Sequence, residues 1–137
     1  MRILHLWVFC ASLFYTQTTW ANEISVSTVT AAAGQQSITV DIELTNSVNI
    51  PYFQFDLWYP YSEITFVSCE QGSHASNLTF GCNDQQNTPG EVVVLMVPTD
   101  LLNVNSPTIE PGTGIVTSIT FDINSDAVVG DYILGIE

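Results

Sequence analysis

The run YFQFDLWYPYSEITFVSCEQG at residues 52–72 limits what this chain can become more than any other feature. Phe53, Phe55, Leu57 and Tyr59 share one parity, and Tyr52, Gln54, Asp56 and Trp58 share the other. Successive side chains of a strand point to opposite faces, so the first set predicts a core face and the second a mixed polar and aromatic outer face. Pro60 has no N–H for a ladder and ends the strand, Ser62 and Glu63 have corner chemistry, and residues 64–67 resume as a β-rich apolar run. Two strands joined by a bend imply a sheet protein.

The rest of the chain reads the same way. Ile24 and Val26 mark a first strand, with a turn at residues 31–34. Ile38, Val40, Ile42 and Leu44 then alternate with Thr39, Asp41, Glu43 and Thr45, predicting a strand with two carboxylates on its exposed side. Residues 46–51 and 72–77 read as loops, 78–82 as a short strand, and 83–90 as a loop containing a Pro-Gly turn. Residues 92–97 are almost continuously apolar, as in a strand buried on both faces or lying mid-sheet. The segment 101–114, with Pro107, Pro111 and two glycines, is the longest irregular connection. Ile115, Ile119, Phe121 and Ile123 predict the inner face of a further strand, and Tyr132, Leu134 and Ile136 begin a last one. Short strands, turn signals and no helical period point to an all-β fold, an antiparallel β-sandwich.

A hydrophobic content of 46% sets the chain apart from disordered sequences, and 137 residues suffice for one domain and a targeting segment. Residues 1–21 have the form of a secretory signal peptide: Arg2, an apolar stretch over 3–15 interrupted by His5 and Ser12, and Thr19-Trp20-Ala21 as the cleavage site. The stretch is shorter than the roughly 20 apolar residues that span a bilayer, which weighs against the alternative of an uncleaved anchor. The expectation is a secreted, extracellular or cell-surface domain over 22–137, with no membrane insertion once the leader is removed. All 14 acidic residues lie beyond residue 21, and the one Lys or Arg in the chain is Arg2. A surface of that kind repels nucleic acid and anionic lipid, which excludes both as partners. It either solubilises the domain or steers a cationic partner or a cation to it.

Three constellations could carry chemistry. Cys69 and Cys82 are the cysteines left after leader removal, and in a secreted chain such a pair is most simply a disulfide. A zinc site from Cys69, His74, Cys82 and Asp84 is the sharper alternative, but its spacing fits no standard knuckle. Asp122-x-Asn124-x-Asp126 opens like a calcium loop, yet Ala127 and Ile133 stand where glycine and a bidentate Glu belong, and a turn explains the same residues. Neither a metal nor another cofactor is expected. Catalysis has a thin inventory, with His74 the one histidine after the leader and no cation to stabilise an oxyanion, so the chain is not expected to be an enzyme. Asn77-Leu78-Thr79 matches a glycosylation acceptor.

Binding is what remains, and the outward stripe of Tyr52, Gln54, Asp56 and Trp58 suits a protein interface or a sugar ring, unless the 101–114 loop covers Trp58. The order of parts carries a resemblance: an F-x-F-x-L-x-Y strand (Phe53 to Tyr59), a proline corner, I-x-F-V from Ile64, a Gly, then G-x-x-T-x-I-T-F-D-I from Gly114 and G-D-Y-I-L from Gly130. This order resembles a cohesin domain, the extracellular module that captures dockerins on cellulosomal and related proteins. The resemblance implies a jelly-roll-like sandwich, akin to some carbohydrate-binding modules. It also implies a non-catalytic role and a dockerin-like protein partner in an assembly linked to polysaccharide binding or degradation.

The resemblance further places the docking sheet on the outward residues of the Tyr52 strand and on parts of 78–82 and 92–97. The family's key polar pair maps to Tyr52 and Gln54. The corner reads Tyr59-Pro60-Tyr61 where the family usually has Tyr-Asp-Pro. A cohesin has nine strands, and this chain stops inside the eighth, so the expectation is a C-terminally truncated domain. The alternative function is a carbohydrate-binding module that contacts polysaccharide through exposed aromatics. A strand-swapping piece follows only if the short end is native.

Overall fold

The computed structural model describes residues 4–5, 22–85, 88–100, 102–103 and 105–137. In chain order its strands are β1 (Leu4–His5), β2 (Glu23–Val26), β3 (Thr30–Ala31), β4 (Ile38–Asn46), β5 (Phe53–Trp58), β6 (Ile64–Gln71), β7 (Thr79–Asp84), β8 (Glu91–Val97), β9 (Gly112–Ile123) and β10 (Gly135–Ile136). One 3-10 turn at Ser73–Ala75 interrupts them. The expected leader and its cleavage point lie outside the described residues, apart from Leu4–His5, which pairs with Thr30–Ala31. Among the described residues, no helix is long and apolar enough to cross a membrane.

Two four-stranded antiparallel sheets, ordered β2-β4-β9-β6 and β10-β5-β8-β7, face each other as a sandwich. Strict alternation in β4 turns Ile38, Val40, Ile42 and Leu44 inward, opposite Phe55 and Leu57 of β5 and Val92, Val94 and Met96 of β8, all buried. Tyr59 and Phe121 meet at 5.3 Å between ring centroids, and Phe66 packs edge-on to Phe121 at 6.3 Å.

The proline corner carries the chain from one sheet to the other. Pro60 ends β5, and its carbonyl accepts the N–H groups of Glu63 (2.9 Å) and Ile64 (3.0 Å), turning the chain into β6. Tyr59 N–H donates to Gly90 O at 2.8 Å, which ties the corner to the Pro-Gly turn before β8. Gly90 has φ +89°, and a Cβ there would lie 2.6 Å from the Tyr59 carbonyl oxygen, so the turn needs glycine on both counts.

β9 departs from the expected phase. Ile42 lies opposite Thr117 while Glu43 lies opposite Ile115, so Val116 is an extra residue, a β-bulge. Counting by twos from Ile119 puts Ile115 inside; the bulge instead buries Val116 and Thr117 and turns Ile115 to the outer face beside Glu43. β9 also begins at Gly112, earlier than the loop reading of 101–114 allowed. The last strand is shorter than expected: Leu134 is buried, Gly135–Ile136 form the strand, and Glu137 exchanges backbone hydrogen bonds with Asp56 at 3.0 Å.

The outer face of the β2-β4-β9-β6 sheet is hydroxyl-rich and acidic. Thr39 lies beside Thr120, Asp41 beside Ser118 and Thr45 beside Thr113; the last pair shares a hydrogen bond of 2.9 Å, and Ser118 Oγ donates to Asp41 at 2.6 Å.

Candidate functional site

The other outer face, on β10-β5-β8-β7, is chemically different. β8 lies between β5 and β7, and its run of valines, leucine and methionine is apolar on both parities. Val92, Val94 and Met96 go to the core, so Val93, Leu95 and Val97 form an apolar strip down the middle of the exposed face. β8 is therefore mid-sheet with one open face, and is not covered on both sides. Across the strip, Gln54, Leu95 and Gly81 form one cross-strand row, and Asp56, Val93 and Asn83 the next. Leu95 stands between a polar side chain and a bare glycine, and keeps 37% of its surface exposed.

β5 frames the strip on the other side. Gln54 is exposed, Asp56 is half-buried, and Trp58 is 37% exposed in the row with Glu91 and Gly135. Tyr52, 66% exposed, precedes the strand at its opposite end. Gln54, Asp56 and Trp58 thus share the outer face of β5, and Tyr52 stands just before the strand, about 20 Å from Trp58 along an extended chain. The described part of the 98–111 connection does not cover Trp58. It pairs through Ile109 with Ile50 and accepts a hydrogen bond from Asn77 at Thr108 O, beyond the Phe53 end of β5.

Cys69 and Cys82 are joined to each other, with Cα atoms 6.5 Å apart. They link β6 to β7, the edge strands of the two sheets. The remaining zinc candidates are engaged elsewhere. Asp84 Oδ1 accepts the Tyr59 hydroxyl at 2.9 Å, and burial, reinforced by that carboxylate, pushes the Tyr59 pKa up to about 12. His74 Nε2 lies 2.9 Å from Asn46 Oδ1. The calcium-like triplet serves as a turn: Asp122 Oδ1 accepts Ser37 N–H at 2.8 Å, and Asn124 bonds Thr65 Oγ1 and Ser62 O at 2.9 and 2.8 Å.

Sequence reading missed the buried Asn46. Its Nδ2 donates to Val48 O (2.8 Å) and Glu110 O (2.9 Å) while its Oδ1 meets His74, pinning three connections to the end of β4. The clue was its parity, since Asn46 continues the inward series of β4. A second network went unseen: Glu63 Oε2 accepts Val128 N–H (2.8 Å) and the Tyr132 hydroxyl (3.0 Å), fastening the segment before β10 to the proline corner. Burial, then the Glu63 carboxylate, raises the Tyr132 pKa.

The architecture is similar to solved cohesins. The sixth cohesin of Acetivibrio cellulolyticus scaffoldin B, solved with a mutant Cel5 dockerin, aligns with a TM-score of 0.69 at 22% identity over 85% of this chain and 81% of that one. The seventh ScaB type I cohesin of Pseudobacteroides cellulosolvens gives 0.63 at 24% identity over 77% and 68%. A non-cellulosomal cohesin of the archaeon Archaeoglobus fulgidus gives 0.53 at 15% over 74% and 80%. At such identities the likeness speaks to the fold. A search of curated proteins found no match. The cohesin-domain profile, however, matches residues 22–137, the whole of the sandwich from β2 to β10, and the chain belongs to the cohesin domain family.

Proposed function

We propose that the chain is a non-catalytic extracellular module that captures a dockerin-like protein on the outer face of β10-β5-β8-β7, after export and removal of residues 1–21. The assembly it serves binds or degrades polysaccharide. The observation that carries this reading is the outward strip of exposed Leu95 and half-buried Val93 and Val97, mid-sheet and framed by Gln54, Asp56, Trp58 and Asn83. An apolar centre with a polar and aromatic rim is the composition of a protein interface. Relatives of the same fold have been solved with dockerins bound. A glycan surface asks for aromatic rings in a row at sugar spacing. Trp58 is the single outward aromatic on the described strands of this sheet, with aliphatic neighbours on β8.

The test uses the full chain exported to an oxidising compartment, with its mass confirming the expected cut after Ala21. Immobilised, it is presented with the proteins secreted by the organism that makes it, in calcium and in chelator, and captured proteins are identified by mass spectrometry. Recovery of a dockerin-bearing protein that is lost in chelator supports the proposal. Leu95→Asp puts a charge at the centre of the strip and is expected to lower affinity about 100-fold with the melting temperature within about 2 °C. Retention on insoluble polysaccharide with no protein captured would overturn it in favour of glycan binding.

A further inference from the structure

We infer that Gly81 is a notch in the docking face that receives one uncharged aliphatic side chain of the partner. The inference rests on the docking reading above and adds the partner's chemistry at this spot. Glycine inside a strand costs stability, because an unfolded glycine has wide backbone freedom to lose and the folded one has no side chain to pack. A fold demands it there for a left-handed φ, for a bulge, or where another part of the chain lies too close for a Cβ. Gly81 meets none of these conditions. Among the described residues the glycines with positive φ are Gly34, Gly90 and Gly112. β7 runs in unbroken register with β8, from Thr79 opposite Val97 to Asp84 opposite Val92. A Cβ on Gly81 would have the Leu95 carbonyl oxygen as its nearest neighbour at 3.9 Å, an ordinary contact, whereas one on Gly72 would lie 2.1 Å from the Ile115 carbonyl oxygen. The fold needs glycine at 72 and has room for a side chain at 81. What remains is the close approach of a group from outside the domain.

The surroundings say what approaches. Thr79, Gly81 and Asn83 are the exposed residues of β7, and Leu95 stands directly across from Gly81. The missing side chain leaves a gap with Leu95 as one wall and Thr79 and Asn83 at its ends, their Cα atoms about 13 Å apart along the strand. β7 is an edge strand, so the gap is open on its outer side. It is also the edge farthest from β10, with β8 and β5 between, so the gap lies well away from the pairing of the last residues of the chain. Thr79, Asn83 and Leu95 give the gap no charged neighbour. The carboxylates of this face, Asp56 and Glu91, lie on β5 and at the Trp58 end of β8.

A charged group of the partner entering this gap would lose water without finding a counter-charge. A side chain the size of valine, leucine or isoleucine adds its apolar surface to that of Leu95, with Val93 and Val97 continuing the wall on either side. Because Gly81 has no Cβ, the tip of that side chain can come down onto the backbone of β7 and make contacts that any other residue at 81 would block. The notch thus gives the apolar strip a shape as well as a polarity. Partners that present a compact aliphatic group at this point fit, and those that present a charge or a bulky ring there do not.

The experiment compares the full chain with Gly81→Ala and Gly81→Val, and with Thr39→Val as a control on the exposed face of the other sheet. The probe is the dockerin-bearing protein captured in calcium as above. Filling the gap is expected to stabilise the free chain while weakening capture, two opposite movements that a merely structural glycine would not produce. Gly81→Ala should raise the melting temperature by about 2–4 °C and lower affinity about tenfold, and Gly81→Val should lower affinity about 100-fold, with Thr39→Val within about twofold of the parent. In the complex, the Gly81 Hα protons should show nuclear Overhauser contacts to a methyl group of the partner; contacts to a charged or aromatic side chain instead would overturn the assigned chemistry. Parent-like affinity of Gly81→Val would overturn the inference, and the docking face would stand without the notch if Leu95→Asp still abolished capture. A melting temperature of Gly81→Ala that fails to rise would remove the premise. Unchanged capture by both Gly81→Val and Leu95→Asp, or no calcium-dependent partner at all, would sink both readings together.

Discussion

Replacing Cys69 and Cys82 by serine opens the disulfide cross-link between β6 of one sheet and β7 of the other, and its cost follows from chain statistics. The bridge closes a loop with a sequence separation of 13 residues, between the edge strands β6 and β7. Cross-linking a loop of that length removes about 10 cal/mol/K of entropy from the unfolded chain, about 3 kcal/mol at 25 °C. A domain the size of residues 22–137 unfolds with an entropy of about 0.24 kcal/mol/K near its midpoint, so the midpoint should fall by about 12 °C. Calorimetry of the oxidised parent, the reduced parent and the double variant measures this directly. The reduced parent and the variant should drop together and by the same amount, both with a larger denaturant m-value than the oxidised parent, because the unlinked unfolded chain exposes more surface. A fall of less than about 3 °C in both would refute the loop-entropy argument. A drop in the variant alone would mean that packing of the serines, and not the lost cross-link, is responsible.

Other outcomes are equally specific. Tyr59, its pKa raised from 10.0 to about 12, holds its proton more tightly folded than unfolded, so its contribution to stability is intact below pH 10 and is lost as pH climbs from about 10 towards about 12. Spectrophotometric titration should show Tyr59 among the late-ionising tyrosines, with Tyr132 also shifted upward, and Asp84→Asn should bring the Tyr59 ionisation to lower pH. Asn46→Ala leaves the Val48 and Glu110 carbonyls and His74 without their shared partner and should cost about 2–4 kcal/mol by urea unfolding; a loss below about 1 kcal/mol would show that water replaces the amide.

The strands whose two faces differ were readable from parity. β4 and β5 alternate cleanly, and their inward residues are the ones the two-residue period selects. β9 was read half correctly, since Ile119, Phe121 and Ile123 keep phase while the bulge at Val116 reverses Ile115. A bulge is fixed by pairing with a partner strand, and nothing in Gly114-Ile115-Val116-Thr117 announces it. β8 was illegible for another reason: with both parities apolar, its letters say that it is central but not which side chains meet water. That depends on how β8 lies between β5, three strands back in the chain, and β7, the strand before it. The stripe on β5 was visible, whereas Leu95 and Gly81, which complete the face, emerge only once three strands are laid side by side. Asn46 was hidden because its partners, Val48, His74 and Glu110, come together only through tertiary packing.

The unlike outer faces of the two sheets have a consequence for stoichiometry. The β2-β4-β9-β6 face shows hydroxyls and carboxylates that already bond one another, as Thr45 with Thr113 and Asp41 with Ser118. The opposite face carries the apolar strip of β8 down its middle. On the docking reading proposed above, such a sandwich offers one face and takes one partner at a time. Gathering several partners then depends on repeating the domain or joining it to others, and the valency of the whole is counted in copies of this sandwich.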